Sequence, residues 1–249
     1  MPASRPPSPL PSAFDDQGAK QEWVNWLFSK VAPRYDLGND LMSAGMHTRW
    51  KKRLVARAGI RPADRILDLA CGTGDVTFMV AARAWKGDVV GLDINAEMLA
   101  VAEQRRPPGM EHVTFVKGDA GALDLPSDSF DMVTCVYAGR GFPSWPAVIK
   151  EAYRVLKPGG RLLNLDFARP PNKAVDRAYR GYMTVTGAVL GTALHGDPRT
   201  YTYIPKSMRH YPGQRWLDQQ LQAAGFKTEL VETRLALMAY NFATKPGTV

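Results

Sequence analysis

The segment that most constrains the fold is residues 66–75, which read ILDLACGTGD. Its apolar first half is typical of a short strand that is covered on both faces of a sheet. Gly72 and Gly74 then allow the backbone to turn tightly beside a ligand, in front of the N-terminus of a following helix. Because Asp93 follows about twenty residues later, the segment predicts a nucleotide-binding βαβ unit.

Two residues of this turn distinguish between adenosine-containing cofactors. Thr77 stands where a dinucleotide-binding G-x-G-x-x-G motif has its third glycine, and Asp75 would bring an anionic side chain next to a pyrophosphate. S-adenosylmethionine has no phosphate, so it tolerates both differences. The turn therefore favours S-adenosylmethionine over NAD as the cofactor.

Further strands follow in the order that such a sheet requires. Residues 89–95 predict a strand with Asp93 near its end, where the carboxylate can accept hydrogen bonds from both ribose hydroxyls. Residues 113–120 predict the next strand, with Asp119 placed to accept a hydrogen bond from the adenine amino group. Either carboxylate alone is also explained as a helix cap. The ordered set predicts an α/β fold of the class I S-adenosylmethionine-dependent methyltransferases: Rossmann-like, with a mostly parallel seven-stranded sheet, an antiparallel last strand and a helical substrate cover.

The 249 residues suffice for one well-buried domain with additions. Prolines crowd the start, where a signal peptide would have its apolar core, so residues 1–19 are predicted to form a disordered leader. Residues 20–249 are predicted to form a single methyltransferase domain. Its expected parts are a helical N-terminal cover at 20–60, the cofactor-binding core at 61–168, and the substrate cover with the C-terminal strands at 169–249.

The substrate cover must come from helices outside the core. Residues 173–194 are predicted to be helical, with bends at glycines such as Gly187 and Gly191. Residues 228–233 and 236–244 look like the antiparallel strand pair that completes the sheet. Residues 130–139, FDMVTCVYAG, predict the fourth strand. In open α/β sheets ligands bind beyond the carboxyl ends of the strands, so residues directly after this fourth strand should face the reacting group.

The chain carries a net charge of +8, and basic residues crowd the stretch 47–65. Such a stretch is compatible with contact to an anionic membrane surface, with nucleic-acid binding, or with a solvated helix face. No interleaving of basic and aromatic residues and no nucleic-acid methyltransferase motif accompanies it. We therefore predict a peripheral membrane contact and no nucleic-acid partner.

The sequence also predicts the compartment and the metal content. No apolar run approaches the roughly twenty residues of a membrane helix. Cys71 and Cys135 fall in predicted core strands or at their ends, where buried thiols are more common than a disulfide or a metal pair. The expected compartment is therefore reducing and cytoplasmic, with a peripheral position on the inner face of a membrane left open. No grouping of His, Cys and carboxylates has metal-ligand spacing, so no metal is expected.

A longer motif near the N-terminus resembles a known family. Residues 35–50, YDLGNDLMSAGMHTRW, are similar to the entry motif of the ubiquinone/menaquinone biosynthesis C-methyltransferases, Y-D-x-M-N-D-x-x-S-x-G-x-H-x-x-W, with Gly38 in place of its methionine. Residues 154–160, RVLKPGG, match a second motif of that family, after which Asp166 stands where the family has glutamate. The similarity extends over about residues 23–244.

This resemblance implies both a cofactor site and a reaction. Cofactor contacts are implied at Thr73, Asp93, Asp119 and Ala120, beside Gly72 and Gly74 of the turn. The implied reaction transfers a methyl group from S-adenosylmethionine to a ring carbon of a lipophilic polyprenylated quinol, with demethylmenaquinol as the first choice of acceptor. A ubiquinone-precursor benzoquinol, a soluble aromatic natural product and, from another class, a non-catalytic cofactor- or lipid-binding scaffold are the alternatives. A homodimer is left open.

Three residues are candidates for chemistry at the acceptor. The family has G-L-R-N after the fourth strand, whereas residues 138–141 read AGRG, so that only Arg140 is kept. A cation beside a ring hydroxyl lowers the pKa of that hydroxyl and makes the ring carbon more nucleophilic. Arg140 is therefore predicted to be the electrostatic partner of the acceptor, since arginine itself is a poor base. Tyr35 and His47 are the other predicted catalytic residues, although a simple hydrogen bond to backbone also explains His47.

Overall fold

The computed structural model describes residues 17–247. Most of the predicted leader lies outside the described residues, and the first described helix begins at Gln17. The strands of the described chain are β1 (Ile66–Leu69), β2 (Val89–Asp93), β3 (Val113–Lys117), β4 (Phe130–Val136), β5 (Leu156–Phe167), β6 (Lys227–Glu232) and β7 (Met238–Thr244). The α-helices are α1 (Gln17–Val31), α2 (Tyr35–Ser43), α3 (Met46–Arg57), α4 (Asp75–Ala81), α5 (Ala96–Gln104), α6 (Trp145–Val155), α7 (Lys173–His195), α8 (Arg199–His210) and α9 (Gln214–Ala223).

The seven strands form one sheet in the order β3-β2-β1-β4-β5-β7-β6. The first five strands run parallel, and β7 runs antiparallel to both of its neighbours. This arrangement confirms the predicted fold class. All four residues of β1 are buried, because helices cover both faces of the sheet. The strand order changes direction between β1 and β4, which places a crevice at their carboxyl ends.

Helices pack against both faces of the sheet. On one face α3 and α4 contribute Leu54 and Val80 to the core. On the other face α6 and α9 contribute Ile149 and Leu217. The remaining cover helices, α1, α2, α7 and α8, line the cavities found at the carboxyl ends of the strands.

The two cover helices α7 and α8 lie unusually close to each other. A Cβ on Gly187 would lie 3.2 Å from the backbone carbonyl of Tyr201, and one on Gly191 would lie 2.7 Å from the carbonyl oxygen of Asp197. α7 is one continuous helix of 23 residues, so these glycines allow close packing instead of the bends expected from the sequence. The sequence did not predict α8 as a separate helix, because it carries Pro205 in its interior.

Candidate active site

The carboxyl end of β1 leads into the predicted glycine turn. Gly72 (φ +56) and Gly74 (φ +85) both have the left-handed backbone conformation that favours glycine. The Gly72 N–H donates a 2.8 Å hydrogen bond to Asp93 Oδ2, and the Asn95 N–H donates one of 2.9 Å to Asp93 Oδ1. Burial raises the pKa of Asp93 in spite of these donors. The carboxylate predicted to bind ribose is thus fixed beside the turn.

A cavity of about 690 Å³, its open part included, lies over this turn. We call it the turn cavity. Its walls come from α1, the turn, the end of β2 and the loop that follows β4. Among its lining residues are Gln21, Phe28, Gly72, Asp93, Ile94 and Met98. Apolar walls with one fixed carboxylate suit a nucleoside, which has a flat base and ribose hydroxyls.

The other four predicted cofactor residues do not line the turn cavity of the described chain. The hydroxyl of Thr73 donates to a carboxylate of α2 at 2.9 Å, and a Cβ on Gly74 would lie 2.8 Å from the ring of Phe78. Asp119 Oδ1 accepts the backbone N–H two residues further on, at 2.8 Å, and Ala120 is buried in the core. The structure therefore brings Gly72 and Asp93 together and leaves these four outside the lining.

A network of charges holds the turn from outside. Arg105 contacts Asp36 at 2.6 Å and Asp75 at 2.7 Å, and it donates to the carbonyl of Thr73 at 3.0 Å. Lys51, almost completely buried, reaches Asp75 at 2.9 Å. Burial works to raise the pKa of Asp75, but the two cations outweigh it and lower the pKa. The network ties α2, α3 and α5 to the turn, and sequence analysis identified neither Lys51 nor Arg105 as a partner of it.

A second carboxylate lies below the turn, in β1 itself. Asp68 accepts hydrogen bonds of 2.6 Å from the hydroxyls of Thr77 and Thr134. Burial raises its pKa to about 6. Sequence analysis missed this residue, although an acidic residue inside an otherwise apolar strand was a visible signal.

A larger cavity, which we call the acceptor cavity, encloses about 1000 Å³ with its open part. It lies under α1, α2, α7 and α8, and its walls are mainly aromatic and aliphatic. Burial raises the pKa of Tyr179, Tyr201 and Tyr203 to about 12 each, so these three phenols are uncharged near neutral pH. The residues that line both cavities are Phe28, Tyr35, Tyr137, Arg140 and Tyr203.

Arg140 is held at this shared wall by a buried carboxylate. Its Nε contacts Asp166 Oδ1 at 3.2 Å, and its Nη1 donates to the hydroxyl of Ser207 at 3.0 Å. Asp166 Oδ2 also accepts the N–H of Gly139 at 2.9 Å, and the guanidinium lies 4.4 Å from the centre of the Phe167 ring. Nη2 has no hydrogen-bond partner among residues 17–247. The predicted cation is therefore rigidly placed with one donor group left over.

The two other predicted catalytic residues also line the acceptor cavity. Burial raises the pKa of Tyr35 to about 12, so this phenol is a hydrogen-bond donor rather than a base near neutral pH. His47 Nε2 lies 2.7 Å from Asp40 Oδ1. Its Nδ1 is fully buried and has no partner within the described chain. Neither nitrogen of this imidazole is therefore available to a molecule in the cavity.

Two features are absent from residues 17–247. No helix among them has the length and apolarity needed to cross a bilayer. No group of three or more His, Cys, Asp or Glu side chains among them is arranged to hold a metal ion.

Known proteins resemble the chain over most of its length. A model of the ubiE/COQ5 methyltransferase family matches residues 16–245. The demethylmenaquinone methyltransferase of Thermus thermophilus is 38% identical over 88% of this chain and 100% of its own length. The ubiquinone/menaquinone biosynthesis C-methyltransferase UbiE of Agrobacterium fabrum is 40% identical over 85% of this chain and 83% of its own.

Solved structures share the fold at lower identity. A SAM-dependent methyltransferase from Aquifex aeolicus has a TM-score of 0.57 and 17% identity, covering 78% of this chain and 89% of that one. A putative methyltransferase from Methanococcus maripaludis has a TM-score of 0.63 and 15% identity, covering 89% and 94%. The fold, the family match and the relatives agree: the chain belongs to the ubiE/COQ5 methyltransferase family.

Proposed function

We propose that this chain transfers the methyl group of S-adenosylmethionine to a ring carbon of a polyprenylated quinol. The observation that carries the proposal is the wall shared by the turn cavity and the acceptor cavity, where Arg140 and Tyr137 lie. A methyl donor in the first cavity and a flat lipophilic acceptor in the second would meet at this wall. The size and apolar walls of the acceptor cavity suit a ring with an isoprenoid tail.

The relatives support one quinol over the other. The Thermus protein is named for demethylmenaquinone alone, whereas the Agrobacterium protein is named for ubiquinone and menaquinone together. The menaquinone reaction is common to both names. Demethylmenaquinol is therefore the acceptor that we propose.

The residues around the turn fit S-adenosylmethionine. Both oxygens of Asp93 accept backbone N–H groups, and the carboxylate lines the turn cavity, where it can accept a hydrogen bond from a ribose hydroxyl. Ile94 and Met98 supply apolar surface for a base. Asp119 stays a predicted partner of the adenine amino group, because it follows β3 at the same edge of the sheet. When bound, S-adenosylmethionine supplies an electrophilic methyl group on a positively charged sulfur.

Arg140 is proposed to activate the acceptor. A phenol ionises at about pH 10 without help, by analogy with tyrosine. The guanidinium beside the ring hydroxyl stabilises the phenolate, so the hydroxyl loses its proton to water at a lower pH and the ring carbon becomes nucleophilic. One proton leaves for each methyl group that replaces a ring hydrogen. Asp166 and Ser207 orient the guanidinium without touching the acceptor.

Tyr35 and His47 are proposed to position the acceptor rather than to accept its proton. The neutral phenol of Tyr35 can donate a hydrogen bond at the shared wall. The imidazole of His47 joins α2 to α3 through Asp40. It thereby shapes the wall of the acceptor cavity from which Asn39 and Ser43 also project.

The test is turnover with labelled S-adenosylmethionine and either reduced demethylmenaquinone or the benzoquinol precursor, each in detergent. We expect label in the naphthoquinol. Arg140→Met should lower kcat by about 10²- to 10³-fold and should move the rising limb of the pH–rate profile to higher pH. Cofactor affinity, measured by calorimetry, should change little.

The matched control is Arg209→Met, which removes an exposed arginine of α8 that lines neither cavity of the described chain. It should leave turnover and the pH profile unchanged. Normal turnover in Arg140→Met would refute the role of that arginine. Cofactor binding with no turnover of any quinol by the wild-type chain would favour the non-catalytic scaffold.

A further inference from the structure

The exposed apolar side chains of this protein are concentrated on one face. Eight large hydrophobic side chains of the described chain are exposed, and five of them lie on α2 and α7. These five, which we call the outer apolar face, are Leu37, Leu41, Tyr182, Val185 and Val189. α2 packs against α7, and the hydroxyl of Tyr182 donates to the carbonyl of Met42 at 3.1 Å. The two helices that carry the five side chains are therefore in contact with each other.

The outer apolar face is part of the same wall as the acceptor cavity. Tyr182 is 49% exposed on the outside and also lines the cavity. Its neighbours Tyr179 and Met183 on α7, and Met42 on α2, line the cavity as well. A lipophilic tail that leaves the cavity through this wall emerges on an apolar surface.

The charge pattern of α7 suits the surface of an anionic bilayer. Residues 181–194, GYMTVTGAVLGTAL, contain no Asp, Glu, Lys or Arg. Lys173 and Arg177 are exposed at the start of the helix, and Arg34 is exposed beside its end, where it donates to the carbonyl of Leu194. Cations beside an apolar surface are attracted by anionic lipid headgroups, although the exposed Asp40 of α2 opposes this attraction.

The basic stretch 47–65 was expected from the sequence to contact a membrane. It is less suitable for that contact than the outer apolar face. Lys51 is buried against Asp75, and Arg57 and Arg61 are paired with carboxylates of the chain. The guanidinium of Arg57 also lies 4.8 Å from the centre of an aromatic ring of β7. Lys51, Arg57 and Arg61 are therefore already used within the fold, whereas Arg49 and Lys52 stay exposed.

We propose that the outer apolar face docks on an anionic phospholipid bilayer, so that the acceptor passes between membrane and cavity without entering water. Val185 and Val189 enter the interface, and Lys173, Arg177 and Arg34 contact lipid phosphates. A second copy of the chain fits less well, because a twofold contact through this face would bring the cations at the ends of α7 near those of the partner. That the surface passes the acceptor to the cavity rests on the proposed function. That the surface binds a lipid bilayer does not depend on it.

The test measures co-sedimentation with vesicles of phosphatidylglycerol and phosphatidylcholine, with no acceptor present. Val185→Asp/Val189→Asp should weaken binding at least about tenfold. The matched control, Val116→Asp/Leu235→Asp, changes two exposed apolar residues elsewhere and should bind as the wild type does. Lys173→Ala/Arg177→Ala should weaken binding to the anionic vesicles, and added salt should reduce this difference.

Two further measurements distinguish a loss of membrane binding from a loss of folding or of catalytic activity. Circular dichroism and turnover of a short-tailed quinol in solution should be unchanged in Val185→Asp/Val189→Asp, which shows that the cover still folds. Equal vesicle binding by this variant and the wild type would overturn the proposal. Loss of a wild-type dimer in the variant, seen by light scattering, would overturn it in favour of a second copy. Failure of the wild type to methylate the short-tailed quinol would instead count against the proposed function.

Discussion

Gly38 is the position at which the 35–50 motif departs from its family, and Gly38→Ala tests why. An alanine Cβ at this position would lie 1.7 Å from Oη and 2.4 Å from Cζ of Tyr201. Because non-bonded carbon atoms make contact at about 3.5 Å, the phenol would have to retreat by about 2 Å. Tyr201 is only 2% exposed, and overpacking of a core costs about 1–3 kcal/mol. Alanine gains about 1 kcal/mol over glycine within a helix, so we expect a net loss of up to about 2 kcal/mol in the free energy of unfolding.

The control is the same substitution in a Tyr201→Leu background, which removes the three atoms in conflict. There Gly38→Ala should stabilise the protein by about 1 kcal/mol, so the sign of its effect reverses. The coupling energy of the double-mutant cycle should be about 1–3 kcal/mol, measured by urea unfolding at constant m-value. The displaced phenol also lines the acceptor cavity, so Gly38→Ala alone should raise KM for the acceptor. Equal destabilisation in both backgrounds would refute the assignment of the conflict to Tyr201.

Two further predictions concern charges around the turn. Burial raises the pKa of Asp68 to about 6 from its usual 3.8, so its contribution to folding stability is present below about pH 4 and is lost as the pH rises through about 6. Relative to wild type, the unfolding free energy of Asp68→Asn should therefore rise by about 2–3 kcal/mol between about pH 4 and pH 7; a pH-independent difference in urea unfolding would contradict this. Lys51→Met should lower the free energy of unfolding by about 2 kcal/mol, because it leaves Asp75 partly buried with one cation fewer. The control is the exposed neighbour: Lys52→Met should change the free energy of unfolding by less than about 0.5 kcal/mol.

The sheet was predictable because its strands have local signals. The apolar run of β1 and the left-handed glycines after it can be read from neighbouring residues, and so can the carboxylate at the end of β2. These local features are enough to place Gly72 and Asp93 side by side. Arg140 was predictable for a related reason, since it follows the fourth strand at the edge where ligands bind.

The supports of the site were not predictable, because their partners are far apart in the sequence. Arg105 reaches Asp36 and Asp75 from the end of α5, and no local pattern marks it as part of the turn. α8 was missed for a local reason: Pro205 in the sequence argues against a helix, yet packing against α7 stabilises one. Sequence patterns therefore predicted the positions of Gly72, Asp93 and Arg140 better than the contacts that hold them.

The loop after β4 is packed closely against the start of α6 and bonded to β5. A Cβ on Gly139 would lie 2.2 Å from the ring of Trp145, so that any larger side chain would collide with it. Asp166 stands where the family has glutamate, and its side chain is one methylene shorter. It accepts the N–H of Gly139 and also holds the Nε of Arg140. Asp166 therefore fixes the loop backbone and the guanidinium of Arg140 together, at the wall between the two cavities.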